Sequence, residues 1–353
     1  MLIRALIFIV LFCGQQAAAA VLSNLYETEI ITQSPSPEDR NIAIKAALSA
    51  VLKRVVVLDN RGQQDVVDSV LTRAPQYVKQ YQYALQESGL SVNTSSRLMR
   101  VLFDERALVA ALESGGIKIW GADRPETLLW LVIEENGRRS FFKAEMMPEL
   151  ANAVSLVSKQ TGLPLLYPLL DMDEQRLISV NDVLSAYPQR LLSVSERYDV
   201  VSILAGRVVK RQSCWESDWA FYFGQGIEQW TKTCGSLNDV LMTGMQGAYG
   251  RLSAHYAVSP DAQQTGLVTL AISGANGAGD MKRINRYLNS LAPVKSVFWL
   301  GAHAGFNEYR VYFAGEQRAL EEILGLGRVL NPLDQSAIEA GKLKFRLISE
   351  RAK

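Results

Sequence analysis

The fold class is decided by residues 267–273, Leu-Val-Thr-Leu-Ala-Ile-Ser, in which the large apolar residues Val268, Leu270 and Ile272 alternate with the smaller Thr269, Ala271 and Ser273. Such alternation is typical of a strand with one buried face. The patterns that follow are a helix at 280–291, strands at 294–300 and 308–313, a helix at 316–324 and a strand at 343–348. This β-α-β-β-α-β order predicts a ferredoxin-like module over residues 265–349.

Residues 21–121 show a similar order of elements. Ser36 and Pro37 are typical of a helix start, because Ser caps the first amides and Pro suits the first helical position. The predicted elements are a strand at 25–31, a helix from 37 to about 55, strands at 77–85 and 97–103, a helix at 105–113 and a strand at 117–120. This order suggests a two-layer α+β sandwich.

Residues 126–258 are predicted to form a central α/β module, bounded by breaks at 121–126 and 259–264. It begins with the apolar strand 128–133 and the hairpin dipeptide Asn136-Gly137. Further predicted elements are a helix at 148–161, a buried strand at 162–168, one or two helices within 181–197, a meander at 201–233 and a long helix from Ser236. The chain is therefore expected to consist of three small two-layer modules in series.

Residues 1–20 have the pattern of a secretory signal peptide. Arg4 precedes the apolar run 5–12, and the alanines at 17–20 supply small residues for cleavage. The apolar run is shorter than the roughly 20 residues that span a bilayer. Cys13 follows Phe12 rather than the small residue of a lipoprotein signal. We expect cleavage near Ala20, a periplasmic location and no integral membrane segment after cleavage.

Composition excludes one class of partner and predicts one covalent link. Loss of Arg4 leaves 36 basic and 36 acidic residues. Such a balance argues against nucleic acid, whose binding depends on clustered Lys and Arg. Cys214 and Cys234 remain after cleavage, and an even pair in an exported protein favours a disulfide.

No residue pattern predicts catalysis, a cofactor or a metal. His255 and His303 are the only histidines, and neither accompanies a motif-borne serine, as a Ser-His-Asp triad requires. The acidic run 171–174 lacks the spacing and glycine of a calcium loop, and favours a solvated turn that caps the next helix. The segment Gly277-Ala278-Gly279 precedes a helix, but it lacks the remaining residues of a phosphate-binding loop.

Two groups of side chains are candidates for binding. Trp219, Phe221 and Phe223 share one face of a strand and are expected in the core, whereas Trp215, in a polar turn beside Cys214, is predicted to be exposed and to contact a partner. In the last module, alternation directs one face of the sheet towards solvent. Its candidate binding residues are Arg310, Tyr312, Lys344 and Arg346. An ordinary solvated face, or one covered by the neighbouring module, is the alternative.

Several segments resemble a known family. They are the Arg-Asn-x-Ala-x3-Ala-Leu helix within 40–54, Trp-Gly-Ala-Asp-Arg-Pro at 120–125 and Ser-Glu-Arg-Tyr at 195–198, with 162–168 and 324–326. Together they resemble domain of unknown function family 2066, a group of exported bacterial envelope proteins, over nearly the whole chain after residue 20. The resemblance implies an envelope location and no assigned activity, so it transfers no catalytic residue.

These observations favour a non-enzymatic scaffold or assembly factor of the cell envelope, with another envelope protein as partner. Small modules in series, balanced charge and the absence of a catalytic motif agree with that class. The alternative is a protein that binds peptidoglycan or a small ligand through the C-terminal sheet face. A second alternative is an enzyme whose site is dispersed along the sequence.

Overall fold

The computed structural model describes residues 25–58, 62–84, 97–257, 265–326, 329–333 and 342–348. The signal peptide expected at 1–20 and the linker expected at 259–264 lie outside these residues. Within them the strands form four sheets. Helices and strands alternate along the chain, which confirms the α+β class.

The first sheet has three antiparallel strands in the order β1-β4-β3. The elements of this region are β1 (Glu27–Thr32), α1 (Pro37–Val55), β2 (Val56–Val57), α2 (Gln63–Thr72), β3 (Val78–Ala84), β4 (Arg97–Phe103), α3 (Glu105–Glu113) and β5 (Lys118–Ile119). Helix α1 starts as expected, since the hydroxyl of Ser36 accepts a hydrogen bond from the amide of Asp39 at 3.2 Å. Its buried face packs on the sheet through Leu48 and Val51.

Strand β5 does not join this sheet as the fourth strand of a β-α-β-β-α-β unit. It pairs instead with β2, directly after α1. The physical reason is the next residue: the indole of Trp120 is 2% exposed and belongs to the hydrophobic core of the following module. Burial of this large ring draws the chain away from the first sheet.

The second sheet belongs to the central region and has the order β11-β10-β9-β6-β7, with β8 also paired to β6. Strands β6 and β9 are parallel neighbours. The elements are β6 (Thr127–Glu135), β7 (Arg138–Phe141), α4 (Pro148–Thr161), β8 (Leu165–Leu166), α5 (Met172–Leu177), α6 (Gln189–Ser195), β9 (Ser202–Lys210), β10 (Trp215–Phe223), β11 (Gly226–Gly235) and α7 (Leu237–Tyr256).

This central region has three layers, not the two expected from sequence. Leu129 and Leu131 of β6 join the core cluster of α4 and α7, while Leu128 and Trp130 join a separate cluster with Leu191 of α6 on the other face. The physical reason lies in β6 itself, which is apolar at consecutive positions and so is suited to burial on both faces.

Two glycines let α7 lie close to this sheet. The ring of Trp219 lies against Gly206 of β9 and Gly244 of α7, and a Cβ at either position would come closer than 3.0 Å to it. The indole nitrogen of Trp219 donates to the carbonyl of Val240 at 3.1 Å. Ser236 and Asp239 form a capping box that starts α7. The predicted helix start and aromatic core are both found here.

We expect Gly244→Ala to lower the free energy of unfolding by about 2 kcal/mol, because overpacking against Trp219 outweighs the better helix propensity of alanine. Gly250→Ala on the same helix is the matched control. A Cβ there meets no atom within 4 Å, so stability should rise by about 0.5–1 kcal/mol. Urea unfolding of both variants measures the two effects. Shifts of the same sign would contradict this packing.

The third sheet has the order β13-β14-β12-β16-β15. Its elements are β12 (Thr265–Ser273), α8 (Ala278–Ser290), β13 (Val294–His303), β14 (Phe306–Ala314), α9 (Gln317–Leu324), β15 (Leu330–Pro332) and β16 (Lys342–Leu347). The predicted β-α-β-β-α succession is found. In a ferredoxin-like unit the fourth strand runs antiparallel beside the first, but here β16 is parallel to β12. The short β15 follows α9 and pairs antiparallel with the outer side of β16.

One hydrophobic cluster extends from the central region into the C-terminal one, from Trp120 and Tyr256 to Leu288 and Phe345. His255 at the end of α7 lies 3.0 Å from the carboxylate of Glu322 on α9. Because the two regions share this hydrophobic core, the module boundaries expected near 121–126 and 259–264 stay predictions. No helix of the described residues is long and apolar enough to cross a membrane.

Candidate functional site

The Trp-Gly-Ala-Asp-Arg-Pro element holds the first two regions together. The guanidinium of Arg124 is 1% exposed. It donates to the carbonyl of Arg54 at the end of α1 (2.5 Å), to that of Gly162 after α4 (2.6 Å) and to those of Trp120 (2.7 Å) and Gly121 (2.9 Å). The carbonyls at the ends of α1 and α4 therefore accept hydrogen bonds from the same guanidinium. The dipoles of both helices favour a cation at this position.

Aromatic rings enclose this cation. The guanidinium carbon of Arg124 lies 4.3 Å from the ring centroid of Trp120 and 5.7 Å from that of Tyr249 on α7. Burial lowers the pKa of Arg124 to about 10, so the side chain stays charged at neutral pH. Arg124 consequently acts as a structural clamp, and its buried position keeps it from an outside ligand.

The acidic run after β8 and the Ser-Glu-Arg-Tyr segment form one structural cluster. Glu174 is 1% exposed and accepts hydrogen bonds from the amide of Leu170 at 2.6 Å and from the hydroxyl of Tyr198. Arg197 lies 3.2 Å from Glu174 and 3.0 Å from Asp171. Asp171 caps α5, as expected. The expected solvated turn is wrong for Glu174, because Arg197 and Tyr198 supply the partners that its buried carboxylate needs.

The histidines do not form a triad. His255 contacts Glu322, which also accepts a hydrogen bond from Tyr256 at 2.9 Å. Burial raises the pKa of Glu322, but the hydrogen bonds from Tyr256 and His255 outweigh it, and the pKa is lowered overall. His303 is exposed at the end of β13. Among the described residues, no group of three or more His, Cys, Asp or Glu could hold a metal.

Cys214 and Cys234 are joined in a disulfide, as predicted, with their Cα atoms 5.5 Å apart. The link ties the entry of β10 to the end of β11. Trp215 follows the first cysteine and is partly buried rather than openly exposed. Its ring packs on the central core and has the ammonium of Lys210 5.6 Å from its centroid.

The four residues of the predicted binding face lie on the open side of the third sheet. Arg310 pairs in register with Thr269 of β12, and Arg346 of β16 pairs with Ser273 of the same strand. Arg310 and Arg346 are exposed, whereas Tyr312 and Lys344 are partly buried. The opposite side carries the buried core residues Val268, Leu270, Val311 and Phe345.

The charge of this face is positive. Glu308 is paired with Lys342 at 2.7 Å, which leaves Arg310 and Arg346 as an excess of cations among the described residues. Phe298 of β13 lies opposite Arg310, and its ring is 5.9 Å from that of Tyr312 in an edge-on arrangement. Aromatic rings therefore lie beside the cations on one open surface.

The exposed edge of this sheet was not predicted from the sequence. Strand β13 pairs with β14 on one side and is the last strand of the order. Three consecutive residues of it are strongly exposed, Phe298 at 55%, Trp299 at 50% and Leu300 at 44%; we call them the edge patch. The predicted strand at 294–300 contained these residues. Its position as the second strand of a split unit, which lies at the sheet edge, was the available signal.

The edge patch presents apolar groups on both faces of the strand. Phe298 lies on the open side with Arg310, and the next residue, Trp299, points to the other side in register with Tyr309. The indole nitrogen of Trp299 donates to the side chain of Asn307 at 3.3 Å, which orients the ring. An added strand at this edge would therefore meet an aromatic ring above and below its backbone.

The N-terminal region has a likeness to a known domain family. A family described as "Domain of unknown function (DUF8605)" matches residues 19–121. No curated protein matches the chain. The match covers the region that ends beside Trp120 and stops at the residue where the first module was predicted to end. The N-terminal region is thus similar to a domain family of unknown function.

Proposed function

We propose that this chain is a non-enzymatic scaffold or assembly factor of the cell envelope, and that it binds an extended segment of another envelope protein at β13. The observation that carries the proposal is the edge patch. Edge strands offer unpaired backbone groups, and proteins normally protect them with charges, proline or a covering element. Phe298, Trp299 and Leu300 carry neither charge nor proline, and Phe298 and Trp299 lie between the two register shifts of β13. Contiguous exposed apolar residues are typical of interaction sites.

Addition of a strand is the form of binding that fits this edge. The partner's backbone would pair with β13, and its alternate side chains would contact Phe298 on one face and Trp299 on the other. The nearby Arg310 favours acidic side chains on the open face of the partner, since opposite charges across an interface steer association. The proposal thus concerns an extended, partly acidic segment.

The proposed location is the periplasm. Its support is the signal-like sequence of residues 1–20 together with the disulfide, which persists in oxidising compartments. Membership of domain of unknown function family 2066 belongs to the same proposal. Its support is the agreement of the segments 40–54, 120–125 and 195–198 with that family's pattern.

Site-specific photo-crosslinking in the native envelope tests the binding site. A photoreactive residue at position 299 should give discrete adducts, whereas one at position 42, where Ile42 is 63% exposed on α1, should not. In a chain with Phe298→Lys and the photoreactive group again at position 299, the adducts should disappear, because a lysine at the edge opposes strand addition. Equal adducts at positions 42 and 299, or none at 299, would contradict the proposal.

Binding of peptidoglycan by the open face is the second candidate, and the excess of cations beside Tyr312 favours it. Peptidoglycan carries carboxylates and sugar rings, which cations and aromatic rings can contact. In this case the purified protein should sediment with peptidoglycan, while Arg310→Ala and Tyr312→Ala should not. Equal sedimentation of all three proteins, or of none, would leave the edge patch as the remaining site.

A further inference from the structure

A cleft of about 870 Å³ lies at one end of the central sheet, away from the edge patch. It is lined by a row of side chains across the ends of four neighbouring strands: Arg138 of β7, Glu135 of β6, Lys210 of β9 and Trp215 of β10. Arg138 is in register with Glu135, and Lys210 with Trp215. The row continues the sheet face that carries Ile133 and Val208, which is the face covered by α4 and α7.

The cleft exists because the helices start short of the strand ends. Met147 and Pro148 at the start of α4 form one wall, and Leu237 at the start of α7 forms another. Strands β6 and β9 are parallel, and both end here. Open α/β sheets bind ligands in the crevice at the carboxyl ends of parallel strands, and a volume of this size is common for small-molecule sites.

The chemistry of the cleft is apolar inside and mixed at the rim. Ile133 and Leu150 are buried beneath it. At the rim, the Lys210 ammonium lies 2.6 Å from the Glu135 carboxylate. Arg138 and Glu149 add one cation and one anion, and neither has an ion pair among the described residues.

Equal numbers of acids and bases make an anionic ligand an unfavourable occupant. Glu135 and Glu149 would repel a phosphate or carboxylate as strongly as Lys210 and Arg138 attract it. A neutral ligand with many hydroxyl groups can instead use both signs, since carboxylates accept its hydrogen bonds and the cations donate to it. The aromatic ring of Trp215 can contact the apolar face of such a ligand.

We propose that this cleft binds a neutral saccharide of one or two rings, stacked beside Trp215 and hydrogen-bonded by Glu135, Arg138 and Lys210. This site is separate from β13 and from the open face of the third sheet. The proposal therefore goes beyond the proposed function, and either can fail without the other.

Titration calorimetry with two disaccharides tests the proposal on the full chain after residue 20. The neutral probe is N,N′-diacetylchitobiose, and the anionic probe is an unsaturated chondroitin disaccharide. We expect saturable binding of the neutral probe and at least tenfold weaker binding of the anionic one. Trp215→Ala should weaken the neutral probe about tenfold through loss of ring contact.

Arg138→Ala is the second variant, because this exposed side chain can be removed without disturbing the core. It should also weaken the neutral probe severalfold, and Tyr187→Ala, which removes an exposed aromatic ring outside the cleft, should bind as the wild type does. Circular dichroism confirms that each variant is folded. Lack of binding of the neutral probe, a preference for the anionic one, or unchanged affinity in Arg138→Ala would each overturn the proposal.

Discussion

Replacement of Arg124 by methionine is expected to lower the free energy of unfolding by about 4 kcal/mol. The guanidinium donates to four main-chain carbonyls and is almost fully buried. Methionine keeps much of the volume but leaves those carbonyls without their donor, and each unsatisfied buried acceptor costs about 1–3 kcal/mol. Release of the burial cost of the cation offsets part of the loss. Urea unfolding at neutral pH measures the net effect.

The matched control for this experiment is Arg106→Met. Arg106 is exposed on α3, and its replacement should change stability by no more than about 0.5 kcal/mol. The Arg124 variant should also expose the junction locally, so amide exchange should rise near Gly162 and at the end of α1. An Arg124→Met protein as stable as Arg106→Met would show that the clamp contributes nothing.

Loss of the disulfide is expected to lower the free energy of unfolding by about 3 kcal/mol, on the loop-entropy estimate for a link between residues 20 apart. The double variant Cys214→Ser/Cys234→Ser removes the link. The effect is on the unfolded chain, which gains freedom when the β10–β11 hairpin is no longer closed. Denaturant unfolding of oxidised wild type and of the double variant gives the difference.

Reductant supplies the internal control. It should shift the unfolding midpoint of the wild type to that of the double variant and leave the double variant unchanged. The single variant Cys214→Ser should unfold at the same midpoint as the double variant. If reduction does not change the wild-type midpoint, the link does not contribute to stability.

Local sequence patterns were sufficient to predict where many helices and strands lie. The cap formed by Ser36 and Pro37 predicted the start of α1, and the strand-like run at 97–103 predicted β4 with its observed limits. The box formed by Ser236 and Asp239 predicted the start of α7. These predictions succeeded because caps and short strand-like runs depend on residues a few positions apart.

Predictions that depended on neighbours in space were less complete. The pattern of β16 predicted a strand, but its direction relative to β12 depends on where the chain returns after α9 and β15. The first and third sheets share the order of their first three strands, β1-β4-β3 and β12-β14-β13, although no repeat of residues was visible. Backbone hydrogen bonds between neighbouring strands form with almost any side chains. The order of strands in a sheet therefore cannot be read from the sequence alone.

The candidate sites divide in the same way. The sequence singled out Arg310, Tyr312, Lys344 and Arg346 because alternation assigns them one face. It did not predict that Phe298, Trp299 and Leu300 would remain half exposed, since an apolar run is compatible with burial on both faces or with a free edge. Glu174 and Arg124 are similar cases, because their burial depends on partners distant in sequence.

The sequence by itself determined most of the helices and strands in their order along the chain, the pairing of two cysteines and the alternating faces of the last module. Each of these follows from local spacing or from composition. The tertiary structure alone decided that Trp120 is buried in the next core, that Arg124 clamps two helices, and that the ends of β6, β9 and β10 form a cleft. The reason is that burial and charge compensation are properties of groups assembled from distant segments, so they exist only once the chain has packed.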